Sequence, residues 1–197
     1  MAESPVLKTL RLLIHPFSKR FLTPRYVGWL NDPEVVRYSE QRHRRHTLES
    51  CREYLRSFSG TPHYFWAITV GESLHDHIGN VNAYVDIPNQ VADVGIMIGE
   101  REAWNQGYGL EAWQAVCNYL LNDVGIRKVT AGTLVVNLGM LAIMKNIGMV
   151  EDGRRSRHYL FEGRETDTIH FALYQKKSKK SNTNAGFEKA KMGLSCL

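Results

Sequence analysis

The chain has 197 residues, 43% of them hydrophobic, and a formal net charge of +5. That length and apolar content suit one domain around one core, and no run is apolar and long enough to serve as a secretion signal or to span a bilayer. The cysteines Cys51, Cys117 and Cys196 are far apart, with no CxxC pair and no metal-ligand spacing. A reduced, cytoplasmic protein with no metal and no membrane partner is expected.

The charge is unevenly placed. Residues 176–197 hold six lysines and one acid, leaving nineteen basic and nineteen acidic residues in the body. The chain therefore divides into a domain over residues 1–175 and a basic tail, 176–197, whose scarcity of apolar residues predicts disorder. The neutral body gives no ground for nucleic-acid binding.

In chain order, Val6 to Ile14 reads as a first strand closed by Pro16. Thr23-Pro24 is a helix start, with Thr as cap and Pro in the first turn, and Val27 and Leu30 are expected to face inward until Asn31-Asp32-Pro33 breaks the helix. The stretch Arg42-His43-Arg44-Arg45-His46 is polar and basic. Thr47 caps a second helix with Leu48, Cys51, Leu55 and Phe58 on one face, ended by Gly60-Thr61-Pro62. Strands over 63–70, 77–85 and 91–98, joined by short polar connections, predict an antiparallel meander. A helix carrying Leu110, Trp113, Cys117 and Leu120 at helical spacing comes next. It is followed by a strand over 128–136, a short helix from Leu138 to Ile147, and two strands over 149–161 and 168–175. Met140, Met144 and Cys117 read as core residues.

The stretch from Val91 to Ala112, VADVGIMIGEREAWNQGYGLEA, carries the most chemistry. It runs from a buried strand through the glycine-spaced turn Gln106-Gly107-Tyr108-Gly109 into a helix. Free N–H groups of a first helical turn converge on one point, the helix dipole favours an anion, and glycines let a diphosphate approach the backbone. Gly107 to Ala112 also fits the dinucleotide fingerprint G-x-G-x-x-G/A. That fingerprint requires a carboxylate near the end of the next strand, and Lys128 to Val136 has none.

Trp104-Asn105-Gln106-Gly107-Tyr108-Gly109 resembles the Q/R-x-x-G-x-G/A motif of the GNAT N-acetyltransferases, with Trp in place of the first Gln or Arg. Asn137 to Met149 (NLGMLAIMKNIGM) resembles that family's N-x-x-S…E-K-x-G-F segment, in the right order and after an intervening strand. The resemblance covers about residues 7–175. It is nearest the Rim-type (ribosomal-protein acetylating) and amino-sugar branches, as is the look of Tyr26 to Val35, which does not separate them.

The resemblance implies an α+β GNAT fold, a mixed and mostly antiparallel sheet flanked by helices, with acetyl-CoA as cosubstrate and no metal. It places Met97 and Ile98 along the pantetheine arm. Gln106, Gly107, Gly109 and Leu110, with Trp104 and Tyr108 in the same motif, fall around the diphosphate. Asn137 falls at the cofactor arm or an ordered water, a candidate catalytic role compatible with capping the short helix. Many relatives carry Ser at position 140 or Tyr at position 144, the latter as acid for the departing thiolate, and Met stands at both here. Asp93, Tyr84 and Tyr159 are candidate bases. The basic stretch would border the acceptor entrance, so Arg42, Arg44 and Arg45 are candidates to bind an anionic acceptor if they are more than a solvated loop. The acceptor is expected to be a primary amine. A nucleotide-linked amino sugar leads, a protein N-terminal amine follows, and a CoA-binding module without turnover is a third possibility.

Overall fold

The computed structural model describes residues 4–176. Its core is one eight-stranded sheet in the order β1-β2-β3-β4-β5-β6-β8-β7. The strands are β1 (Leu7–Lys8), β2 (Leu13–Pro16), β3 (Tyr64–Thr69), β4 (His77–Asp86), β5 (Val91–Ile98), β6 (Lys128–Leu134), β7 (Val150–Phe161) and β8 (Arg164–Tyr174). Every neighbouring pair is antiparallel except β5 and β6. The helices are α1 (Pro24–Leu30), α2 (Leu48–Arg56), α3 (Tyr108–Asn118) and α4 (Leu138–Asn146). This is the expected α+β, mostly antiparallel architecture. The expectation of a basic tail over 176–197 lies, apart from Lys176, outside the described residues.

Strand alternation gives the sheet two unlike faces. Trp66, Ile68, Val81, Ala83, Ala92, Val94, Val129, Ala131, Ile169 and Phe171 point towards α3 and α4 and form the main core with Trp113, Val116, Cys117, Leu120 and Met144. On the other face Phe17, Phe65 and Ala67 pack with Phe21, Tyr26, Trp29 and Cys51 beneath α1 and α2. At about 1.5–3 kcal/mol per large apolar side chain buried, the first cluster dominates stability.

Local signals set the helix starts. The Thr23 side chain accepts from Tyr26 N at 3.2 Å and caps α1. Thr47 and Ser50 form a reciprocal capping box on α2. The Glu162-Gly163 turn between β7 and β8 has φ of 50° and 76°, the left-handed pair that suits a two-residue hairpin.

Four expectations are corrected. The first strand is two short strands, because the Thr9 hydroxyl accepts from Leu12 N at 2.9 Å and Thr9 N donates to Leu12 O at 3.0 Å, reversing the chain. The inward residues of α1 are Tyr26 and Trp29, with Val27 and Leu30 only partly covered. Leu48 of α2 is exposed. Strand β6 stops at Leu134 and β8 begins at Arg164.

Candidate functional site

Strand β5 pairs with β4 along its whole length, from Val91↔Asp86 to Ile98↔Gly79. Its pairing with β6 stops after Val91↔Lys128, Ala92↔Val129 and Asp93↔Thr130. Beyond Asp93 the two parallel strands diverge, so one edge of Val94 to Ile98 carries backbone groups with no β6 partner. Met97 and Ile98 lie on that open stretch.

The connection from β5 to α3 is held in place by side chains. The Trp104 indole N–H donates to Ile98 O at 2.8 Å, which fastens the loop to the strand end. Asn105 and Gly107 have φ of 60° and 82°, and Gly107 is the residue before the first turn of α3. A left-handed backbone there favours glycine and turns successive N–H groups the same way. The first α3 hydrogen bond is Glu111 N to Gly107 O at 3.1 Å, which leaves the N–H groups of Tyr108, Gly109 and Leu110 without a helical acceptor. A Cβ at Gly109 would stand 3.3 Å from Ile143 Cδ1 and 3.6 Å from Ile98 Cγ1, so this turn sits between the end of β5 and α4.

Sequence reasoning missed the residues that brace this turn. Glu111 accepts from the Thr9 hydroxyl at 2.6 Å, from Arg11 N at 2.9 Å and from Arg11 Nε at 2.7 Å. Arg11 also donates to Gln106 O at 2.9 Å and lies over the Tyr108 ring at 4.5 Å. Burial opposes the Glu111 charge, yet these donors together hold its carboxyl below the usual range. The β1–β2 turn is thus strapped to α3 across about a hundred residues of sequence, a pairing no local pattern announces.

Asn137 caps α4. Its Oδ1 accepts from Met140 N at 3.2 Å, and its Nδ2 donates to Thr133 Oγ1 at 3.0 Å. Met144 is fully buried, and burial pushes the Cys117 thiol up to about 12, in keeping with a core residue.

Asp93 and Tyr84 stand opposite each other in register on β5 and β4. Asp93 accepts from the Thr130 hydroxyl at 2.8 Å, at the point where β5 and β6 part. Burial raises its pKa, opposed by that hydroxyl and by nearby His170. The Tyr84 hydroxyl is 2.9 Å from that of Tyr54. Tyr159 is on β7, opposite Thr166 and against His158, three strands from β5, so the structure does not bring it to Asp93. Glu100, just past the end of β5, pairs with Arg25.

Arg42, Arg44 and Arg45 come together. They line a pocket of about 810 Å³ with Arg37, His43 and His46, closed on one side by Phe161 and Glu162 of the β7–β8 hairpin. Arg42 pairs with Glu40 at 2.9 Å and donates to Ser39 O at 3.0 Å and Leu160 O at 3.4 Å. Arg37 pairs with Glu162 at 2.7 Å. The Arg44 and Arg45 side chains have no hydrogen-bond or carboxylate partner among the described residues.

The open β5 edge and the glycine turn fit a long ligand with a diphosphate at one end. The left-handed Gly107, the unpaired N–H groups and the diverging strands are each what such a ligand requires. No group of His, Cys, Asp and Glu able to hold a metal occurs among the described residues.

Comparison with known proteins agrees with this geometry. Residues 11–150 match the model of the acetyltransferase (GNAT) domain. No curated protein sequence matches the chain significantly. Among solved structures, a GNAT-family acetyltransferase from Bacillus anthracis superposes with a TM-score of 0.73 at 19% identity, covering 87% of this chain and 99% of that one. The spermidine N-acetyltransferase of Vibrio cholerae, in complex with CoA and spermine, gives 0.75 at 16% identity, covering 85% and 97%. The ribosomal-protein-S5-alanine acetyltransferase of Vibrio fischeri gives 0.75 at 14% identity, covering 88% and 98%. With the domain match spanning most of the chain, this protein belongs to the GNAT acetyltransferases, which move acetyl from acetyl-CoA to an amine.

Proposed function

We propose that the protein acetylates a primary amine of a small anionic acceptor, of the kind represented by a nucleotide-linked amino sugar. The observation that carries this reading is the basic pocket of about 810 Å³, in which Arg44 and Arg45 have no carboxylate partner. Forked guanidinium donors suit phosphate oxygens. The polycationic spermine bound by the Vibrio cholerae relative would meet like charge there.

In this reading Gln106, Gly107, Tyr108, Gly109 and Leu110 bind the diphosphate of acetyl-CoA, and Arg11 and Glu111 hold that turn in shape. The free edge at Met97 and Ile98 aligns the pantetheine arm. When bound, acetyl-CoA supplies a thioester carbonyl at the mouth of the strand divergence. Asp93, fixed by Thr130, lies at the vertex of that mouth. Asn137 keeps α4 beside it, and Met140 and Met144 offer no proton to the departing sulfur. Trp104 acts by tethering the loop.

The pocket reaches to Phe161 and Glu162, beside Arg164 at the start of β8. Eight residues of β8 at about 3.3 Å each separate Arg164 from Ala172, which pairs with Thr130 at the vertex, roughly 26 Å. An elongated acceptor, with its amine at one end and its negative charge at the other, suits that separation.

Arg42 supports the loop through Glu40 and Leu160, so the cleaner test removes Arg44 and Arg45 together. The double alanine variant should raise KM for a nucleoside-diphosphate amino sugar at least tenfold, with kcat and acetyl-CoA affinity nearly unchanged. The wild-type KM should rise with salt, because exposed charges are screened within about 10 Å at 0.1 M. Equal acceptor KM values in variant and wild type would remove the anionic-acceptor reading.

A further inference from the structure

On the face of the sheet that carries α1 and α2, polar side chains converge on the mouth of the β5–β6 divergence from both sides. Gly95 and Gly132 each stand two residues beyond the last paired residues, Asp93 and Thr130. Asn82 lies over Gly95, its Oδ1 2.8 Å from where a Cβ would stand, and His170 lies over Gly132, its Nδ1 and Cε1 2.8 Å from the corresponding point. Any side chain at either glycine would displace the group above it. Flanking this row are Asn80 on β4 and Thr168 on β8. Asn80 Oδ1, Thr168 Oγ1 and His170 Nε2 are all shielded from solvent with no hydrogen-bond partner in the structure. Buried polar atoms without partners are uncommon, and three around one opening indicate a site built for a polar guest.

We propose that His170 is the proton acceptor for the incoming amine, seated over Gly132 at the mouth of the strand divergence and facing Asn82 across it. This inference rests on the acetyltransferase reading and assigns its base. As the amine nitrogen bonds to the acetyl carbonyl carbon it gives up one proton, which passes to Nε2 of His170, the ring nitrogen without a hydrogen-bond partner. The C–S bond breaks with its electron pair on sulfur, and the imidazolium returns the proton to solvent or to the thiolate. The sum is amide plus CoA thiol.

The charged groups on the strands packed about His170 are Asp93 on β5, Lys128 on β6, and Asp152 and Arg155 on β7. Lys128 pairs with Asp152 at 2.7 Å, which leaves Asp93 as the carboxylate best placed to favour the imidazolium. The influence of His170 on the titration of both Asp93 and Asp152 agrees with its place between them. Asp93 is on this view a positioning residue, acting through the imidazole. Tyr84 is occupied with Tyr54, and Tyr159 is remote.

The test combines kinetics with a readout that needs no turnover. H170A and H170N should lower kcat/KM at pH 7 at least a hundredfold, with either a nucleoside-diphosphate amino sugar or an alanine-headed peptide as probe. They should lower kcat as much as kcat/KM while leaving CoA affinity by calorimetry within twofold. G132A, which displaces the ring without removing it, should lower kcat with CoA affinity kept. D93N should lower kcat with CoA affinity kept, and should add little to the loss already caused by H170N, because Asp93 acts through the imidazole. Wild-type kcat/KM in H170N would overturn the assignment, as would full additivity of the D93N and H170N losses. Absence of CoA binding by the wild type would instead overturn the acetyltransferase reading on which it rests.

Discussion

Gly107 and Gly109 do different work two residues apart. At Gly107 the constraint is backbone: φ is 82°, where an L side chain costs about 1–2 kcal/mol. At Gly109 the constraint is space, since a Cβ would already meet Ile143 at 3.3 Å. G109V should therefore do two things, weakening CoA binding at least tenfold, or about 1.4 kcal/mol, and pressing on Ile143 and Ile98 so that the melting temperature falls. G109A is the control. Alanine, which the family motif itself admits at this position, fits the gap with a small adjustment, so both affinity and melting temperature should stay close to wild type. Calorimetry and thermal unfolding on both variants measure this, and a folded G109V with wild-type affinity would remove this turn from the diphosphate site.

Among the elements, the β1–β2 turn near the edge of the sheet is tied to α3 by Glu111. Thr9 and Arg11 both donate to that carboxylate, and Arg11 reaches on to Gln106 O. E111Q keeps the shape but removes the charge, so Arg11 should swing free of the Gln106 carbonyl. Affinity for CoA should fall several-fold, with little loss of global stability because the Arg11 end of the pair is well exposed. A crystal structure of E111Q with the Arg11–Gln106 contact intact would overturn this. The same element shows what the sequence could and could not disclose. The glycine turn, the strand before it and the helix after it are local patterns, and Val91 to Ala112 presented all three. Thr9, Arg11, Asn82 and His170 reach the site only through sheet register. His170 is two residues from Ala172, which pairs with Thr130, which pairs with Asp93, and no periodicity in one strand specifies its neighbours in the next. The first strand was misread for a related reason: Thr9 turns the chain with its own hydroxyl inside an otherwise apolar alternation.

At the scale of the whole molecule, stability should depend on pH through His77, a residue outside the acetyl-transfer site. It is 2% exposed at the start of β4, surrounded by Phe17, Phe21, Tyr26 and Trp29, with Nε2 3.0 Å from Gly79 O. Burial drives its pKa down to about 4, the Arg25 charge adds to the effect, and the Gly79 carbonyl opposes it. In the unfolded chain the imidazole titrates near its ordinary 6.5. Between pH 6.5 and 4 the unfolded state therefore binds a proton that the native state refuses, and stability falls as pH falls. The contribution is complete above pH 6.5 and spent by pH 4. At 1.36 kcal/mol per unit, the full effect is about 3 kcal/mol, a large share of a typical domain's stability. Native carboxylates held below their ordinary range, such as Asp152 and Glu111, lose their contribution mainly at the acid end of that window and beyond it. Urea unfolding of wild type and H77Q from pH 7.5 to 4 isolates the histidine, because glutamine can still donate to Gly79 O but does not titrate. The difference between the two stabilities should be flat above about pH 6.5 and should then fall by about 1.4 kcal/mol per pH unit towards pH 4. Parallel curves across the whole range would mean that His77 takes up its proton without unfolding the cluster around it.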